Sequence, residues 1–162
     1  MCINRLLRVN TFPKEAIFMQ VKDIMTQPVI SIGLEESAEV AARTLTHYNI
    51  GILPVCDGGG KLCGLVTDRD LVIRCMASGK NPAKTKVKDV MTGNLTTVTP
   101  EVSAATAAEI MGNKQVRRLP VTEQGKLLGM VSLGDMAKCT ENTSCTAVAL
   151  TKISSNPADF TP

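Results

Sequence analysis

Val21-Lys22-Asp23-Ile24-Met25-Thr26 recurs as Val87-Lys88-Asp89-Val90-Met91-Thr92. The offset between the two hexapeptides persists downstream. Leu53-Pro54-Val55 falls on Leu119-Pro120-Val121, and Glu35, Ser37, Ala38, Ala41 and Ala42 fall on Glu101, Ser103, Ala104, Ala107 and Ala108. After one residue is dropped in the Gly58-Gly59-Gly60 turn, Gly64-Leu65-Val66-Thr67 matches Gly129-Met130-Val131-Ser132, and Asp70 matches Asp135. A register held over this much of a chain is an internal duplication, and a repeat of this kind constrains the architecture before any single element does.

Each copy predicts the order β-α-β-β-α. A short strand comes first, Val29 to Ile32 and Leu95 to Val98. Ala38, Ala41, Ala42, Leu45 and Tyr48 then recur at helical spacing, as do Ala104, Ala107, Ala108 and Met111. Thr99 is the expected N-cap of the later helix, with Pro100 at its first position, where a missing N–H costs nothing. Two strands around a Gly-rich turn follow, Ile52 to Cys56 with Leu62 to Val66, and Arg118 to Thr122 with Leu127 to Val131. A closing helix is expected from about Asp68 to Ala77 and from about Leu133 to Cys139. The expected division is 19–77 for the first repeat, 78–86 for a linker, 87–139 for the second repeat and 140–162 for a tail. A single unit of this size has one sheet face left to bury. The expected fold is therefore α/β (α+β), with two β-α-β-β-α repeats packed sheet to sheet about a pseudo-twofold axis and a cleft on either side of it.

The composition narrows the function. The chain has 162 residues, 44% of them hydrophobic and 20% charged, which is globular and not disordered. Aromatics are 2%, with no Trp, one Tyr and three Phe, so the core is aliphatic and stacking platforms for single-stranded nucleic acid are disfavoured. The net charge of +3 is spread along the chain and forms no basic groove, so nucleic acid is an unlikely partner. No apolar run reaches the roughly 18 residues of a membrane span. Cys2, Cys56, Cys63, Cys75, Cys139 and Cys145 include no CxxC pair, and reduced cytoplasmic thiols are the expectation.

Few residues suggest chemistry. His47 is the only histidine, and no nucleophile–base signature, P-loop or GxGxxG accompanies it, so no catalytic residue is expected. Gly64-x-x-Thr67-x-x-Asp70 and Gly129-x-x-Ser132-x-x-Asp135 each sit where a strand turns into a helix. Two readings stand. The motif is a capping box that satisfies the helix end. It is also a nucleotide subsite, with N–H groups and a hydroxyl for phosphate and an acceptor-only carboxylate for ribose hydroxyls. Arg117-Arg118 opens the later Leu-Pro-Val strand as a solvated basic pair or as a phosphate clamp. Its counterpart, Gly51-Ile52, cannot clamp phosphate.

The paired hexapeptides, the Leu-Pro-Val strands and the two Thr/Ser-x-x-Asp closings resemble a tandem pair of CBS (cystathionine β-synthase) domains, over about Val21 to Cys139. Thr67-Asp68-Arg69-Asp70 is similar to small stand-alone bacterial CBS-pair proteins. The resemblance implies a non-enzymatic cytoplasmic regulatory module. It would bind AMP, ADP or ATP in inter-repeat clefts, require no cofactor or metal, form a homodimer and signal allosterically to a protein partner. Sensing of S-adenosylmethionine or NAD, or a dimerisation module with degenerate clefts, is the alternative. A thiol or metal sensor on Cys56 and Cys63, or an enzyme, would represent other classes. By the same resemblance, site one joins Thr67 and Asp70 to Asn94, Leu95, Thr96, Val116, Arg117, Arg118 and Pro120. Site two joins Ser132 and Asp135 to Pro28, Val29, Ile30, Ile50, Gly51 and Pro54. Site two has no Arg pair opposite it, which puts its phosphate selectivity in question.

Residues 1–18 lie outside the repeat, and Pro13 interrupts any helix there. A regulatory arm, a disordered terminus and a translated leader are the three readings. In the last, Lys14-Glu15-Ala16 covers a ribosome-binding sequence and the natural start is Met19.

Overall fold

The computed structural model describes residues 19–138 and 143–154. The expectations for residues 1–18, for Cys139 and for the ends of the tail lie outside the described residues.

The elements run in the predicted order. Helix α1 (Val21–Ile24) and strand β1 (Ile32–Gly33) precede helix α2 (Ala38–Tyr48), strand β2 (Ile52–Cys56) and strand β3 (Leu62–Thr67). Helix α3 (Asp68–Asp70) continues as a π-helical turn over Leu71–Met76, and a 3-10 turn at Val87–Asp89 opens the second half. Helix α4 (Ala104–Lys114), strands β4 (Arg118–Glu123) and β5 (Lys126–Ser132), helix α5 (Leu133–Ala137) and helix α6 (Thr143–Ser154) complete it. β1 lies parallel to β2, and β2–β3 and β4–β5 are antiparallel hairpins in matching register, with Ile52 opposite Thr67 and Arg118 opposite Ser132. The hairpin tips meet, where Leu62 N–H donates to Gly125 C=O at 3.0 Å and Leu127 N–H to Gly60 C=O at 3.2 Å.

Each opening hexapeptide docks on the other repeat. Val21 N–H donates to Val102 C=O and Lys22 N–H to Pro100 C=O, while Val87 N–H donates to Glu36 C=O and Lys88 N–H to Leu34 C=O. Thr26 exchanges backbone bonds with Met130, as Thr92 does with Leu65. The cores follow this exchange. Val21 is buried with Met111, Leu119, Val121 and Val131, whereas Val87 and Val90 are buried with Leu45, Leu53, Val55 and Val66. Contacts exchanged reciprocally in this way are those a twofold operation generates. They also make each core incomplete without the other repeat.

The exchange accounts for the Gly and Met of the repeat. A Cβ on Gly64 would lie 2.5 Å from Met91 Sδ and 2.9 Å from the Thr92 carbonyl oxygen. A Cβ on Gly129 would lie 2.5 Å from Met25 Sδ and 3.2 Å from the Thr26 carbonyl oxygen. Each glycine gives the other repeat's methionine its seat.

Three expectations are corrected. The N-cap of α4 is Ser103, whose hydroxyl accepts from Thr106 N–H at 3.1 Å, and Ser37 does the same for α2. Thr99 closes a turn instead, its carbonyl accepting from Val102 N–H. The first strand of each repeat is shorter than predicted. Only Ile32–Gly33 reaches β2, and in the second repeat only Val98 bridges, to Val121. Ala42 and Tyr48 were expected on the core face of α2 and are exposed, although Ala108, the counterpart of Ala42, is buried. The difference is α6, which lies within the expected tail. Ala149 and Lys152 pack over Gly112 of α4, and Ala149 is 2% exposed.

Glu35 ties the second opening to the turn before α2. Its carboxylate pairs with Lys86 and, at 2.6 Å, with Lys88. The hydrogen bond from Lys86, then that from Lys88, holds its pKa down from 4.5 to about 2. A carboxylate depressed on folding stabilises the native state above the unfolded value, and the contribution is lost as pH falls through the folded one. A carboxyl-detected NMR titration is expected to place the Glu35 midpoint near 2 in the folded protein. A midpoint at the unfolded value would mean that the lysines do not hold it.

Candidate ligand-binding clefts

The strand-to-helix corners carry the polar groups. Thr67 N–H and O–H donate to Asp70 Oδ2 at 2.9 and 2.8 Å, and Asp70 N–H donates to Thr67 Oγ1 at 3.1 Å. Ser132 repeats this with Asp135 at 2.9, 2.6 and 3.1 Å. Both motifs are therefore capping boxes. The cap engages Oδ2 of each carboxylate. Oδ1 lies 3.5 Å from Arg74 in the first motif and 3.7 Å from Lys138 in the second. A carboxylate has about four acceptor sites, so a capped aspartate keeps acceptor capacity for a ligand hydroxyl.

The second motif opens into a cleft of about 320 Å³. It is lined by Thr26, Pro28, Val29, Ile30, Asn49, Ile50, Gly51, Ile52, Pro54, Arg118, Met130, Ser132 and Asp135. All eight residues expected at site two line it. Apolar residues dominate the lining, β2 contributes Ile52 and Pro54, and Asp135 and Arg118 are the two charged groups. That volume is at the small end of the roughly 300–1,000 Å³ of ligand pockets. Val29 and Ile30 line the cleft from a stretch that is outside any strand. Asn49, the left-handed C-cap of α2, has a φ of 51° and turns the chain into the far wall. Sequence reasoning missed Thr26, Asn49, Ile52 and Met130; Thr26 and Met130 are brought together by the backbone bonds they exchange in the fold.

Arg118, expected at site one, lines this cleft, so a single arginine stands at site two. It pairs with Ser132 across the β4–β5 ladder, so the strand start and the capping motif meet by register. Arg117 does not line the cleft; its carbonyl accepts from Leu133 N–H at 3.1 Å, as the Gly51 carbonyl accepts from Asp68 N–H at 3.3 Å.

At site one the structure gives the two halves of the expected constellation. Thr67 and Asp70 form the cap. Arg74 binds the carbonyls of Val90 and Met91 at 2.9 Å and Thr92 Oγ1 at 3.1 Å, which joins Asp70 to the second opening. Downstream, Asn94 is exposed, Leu95, Thr96 and Val116 are half-buried, Pro120 is buried, and Arg117 and Arg118 are exposed at the head of β4. Pro120 meets this stretch through its carbonyl, which accepts from Val98 N–H at 3.1 Å.

Cys56 and Cys75 are buried, Cys63 and Cys145 half-buried, and all four are free thiols. Burial pushes the Cys56 thiol up. Among the described residues no group of three or more His, Cys, Asp or Glu side chains could hold a metal ion. No described helix is long and apolar enough to cross a membrane.

The CBS domain model matches this chain twice, over residues 21–76 and 87–142. The chain belongs to the CBS domain family. A CBS domain-containing protein of Bacillus subtilis, YhcV, is 37% identical over 134 residues, covering 83% of this chain and 94% of that protein. Hypoxic response protein 1 of Mycobacterium tuberculosis is 32% identical over 117 residues, covering 72% and 82%. The crystal structure of Hypoxic Response Protein I, with two coordinated zinc ions, aligns at a TM-score of 0.69 and 31% identity, covering 75% of this chain and 98% of that one. The CBS domain pair of protein MJ0100, in complex with 5-methylthioadenosine and S-adenosyl-L-methionine, aligns at 0.67 and 28% identity, covering 75% and 94%. An inosine-5'-monophosphate dehydrogenase of Korarchaeum cryptofilum also matches, at 35% identity, but the match spans 23% of that enzyme. The resemblance is to its CBS portion.

Proposed function

We propose that this CBS pair is a non-enzymatic cytoplasmic sensor of adenosine nucleotides. The observation that carries the reading is the site-two cleft, which Asp135 and Arg118 of one repeat line together with Pro28–Ile30 and Asn49–Ile52 of the other. Adenine fits the apolar wall, the ribose hydroxyls fit the acceptor-only carboxylate, and a phosphate fits the guanidinium. A ligand there touches both repeats, so it stabilises one relative orientation and passes that preference to a protein partner.

The complex of the MJ0100 pair favours S-adenosylmethionine as a second reading. A thermal-shift panel of AMP, ADP, ATP, NAD and S-adenosylmethionine separates the two. The true ligand at 100 times its dissociation constant should add about 2.7 kcal/mol of stability. A shift with S-adenosylmethionine alone selects the second reading, and no shift with any of the five leaves a module with degenerate clefts.

The module is a homodimer in this reading. Val72, Ile73 and Met76 lie on the helical turn after α3 and are 53%, 47% and 64% exposed. In the second repeat α6 covers part of the helical surface that the first repeat leaves open. Ile73→Glu is expected to convert a dimer to a monomer in light scattering, since a charge buried without a partner costs several kcal/mol. A variant still dimeric would place the interface elsewhere.

A further inference from the structure

Arg118 occupies a position that the repeat register makes special. Its counterpart in the first repeat is Ile52, and both residues line the same cleft, the one at Ser132 and Asp135. Ile52 reaches that cleft although its own ladder partner is Thr67 of the other motif. The reciprocal exchange of the two openings relates the halves by a pseudo-twofold. Under that operation Ile52 and Arg118 trade places, and so do the two clefts. Residues that line one cleft from both members of such a pair stand at the axis and line the other cleft as well. Arg117 is different, because its counterpart Gly51 lines the Asp135 cleft and Arg117 does not. By the same operation Arg117 serves the Asp70 cleft alone.

The charge is therefore uneven about the axis. By this operation one guanidinium stands between the Asp135 cleft and its counterpart at Asp70, and the pseudo-symmetric position that would have supplied a second cation holds Ile52. Among the described residues, Arg118 has no ion pair or side-chain hydrogen bond that would hold it to either side.

We infer that the two clefts compete for Arg118, so that a phosphate-bearing ligand in one weakens the binding of a phosphate-bearing ligand in the other. The inference rests on the nucleotide reading above. A guanidinium gives its bidentate fork to one phosphate at a time. The second anionic ligand then loses that partner. An uncharged nucleoside uses the carboxylates and the apolar walls and is unaffected. The molecule becomes a device whose first nucleotide sets the affinity for the second, with the coupling confined to ligands that carry phosphate.

The test is a linkage cycle by isothermal titration calorimetry with AMP and adenosine. Asp70→Asn and Asp135→Asn each disable one cleft while keeping an oxygen for the cap, so they report the isolated affinity of the other. Their product, compared with the overall two-site affinity of the unmodified chain, gives the coupling factor. For AMP, two-site binding is expected to be about tenfold weaker than the product of the isolated affinities, within the usual range of coupling between sites. For adenosine the factor should be one, and Arg118→Ala should return the AMP factor to one while weakening AMP in both clefts. An AMP factor of one in the unmodified chain, or a factor that survives Arg118→Ala, overturns the inference while leaving the nucleotide reading intact. Absence of AMP and adenosine binding altogether overturns both.

Discussion

Asp135→Ala is expected to weaken AMP at the second cleft by about 1.5–3 kcal/mol, the range for hydrogen bonds to a charged group. The same change is expected to cost about 0.5–2 kcal/mol of stability, because it removes half of the box that caps α5. The two effects are separable, since Oδ2 is engaged in the cap and the remaining acceptor capacity is what a ribose would use. Asp135→Asn retains an acceptor for Ser132 N–H and lacks the charge, so it should lose affinity with little loss of melting temperature. Calorimetry and thermal denaturation on both variants read the two quantities. If Asp135→Ala lowers the melting temperature and leaves AMP affinity unchanged, the motif is a helix cap and nothing more.

Gly64→Ala is expected to destabilise the fold by about 1–3 kcal/mol, the usual cost of forcing an extra methyl into a packed site. The added Cβ meets Met91 Sδ, which can move, and the Thr92 carbonyl oxygen, which is held by the bridge to Leu65. Gly129→Ala meets Met25 Sδ as closely, but its nearest backbone atom is 3.2 Å away and not 2.9 Å. The first substitution should therefore cost more than the second. A double-mutant cycle of Gly129→Ala with Met25→Ala should show strong coupling, and denaturant titration measures it. Equal, small costs at both glycines would mean that the hexapeptides do not seat against the opposite repeat as described.

Much of this structure was legible because it is written twice. The duplication gave the element order, the matched hairpin registers and the two capping motifs, and the family resemblance supplied eight of the thirteen residues that line the second cleft. Ser37 and Ser103 were matched positions in the alignment of the repeats, and they are the caps. Thr99-Pro100 has the better local signature, but its tertiary role is a turn. The exchange of the hexapeptides was not legible, since an aliphatic such as Val21 or Val87 carries no label for the core it enters. α6 was passed over because Thr143–Ser154 has no partner in the repeat to call attention to it. Its signal was the spacing of Cys145, Ala149 and Ile153, one helical turn apart. Arg118 is expected at site one beside its neighbour Arg117. The ladder with Ser132, visible only in the fold, puts it at the second cleft.

The central claim is that the two strand-to-helix carboxylates hold an adenosine nucleotide. Its most direct test is calorimetric titration of AMP into the unmodified protein and into the Asp70→Asn, Asp135→Asn double variant, with folding of both checked by circular dichroism. The account predicts saturable binding to the unmodified protein and loss of that binding in a variant that remains folded. Binding of equal strength to both proteins would contradict it.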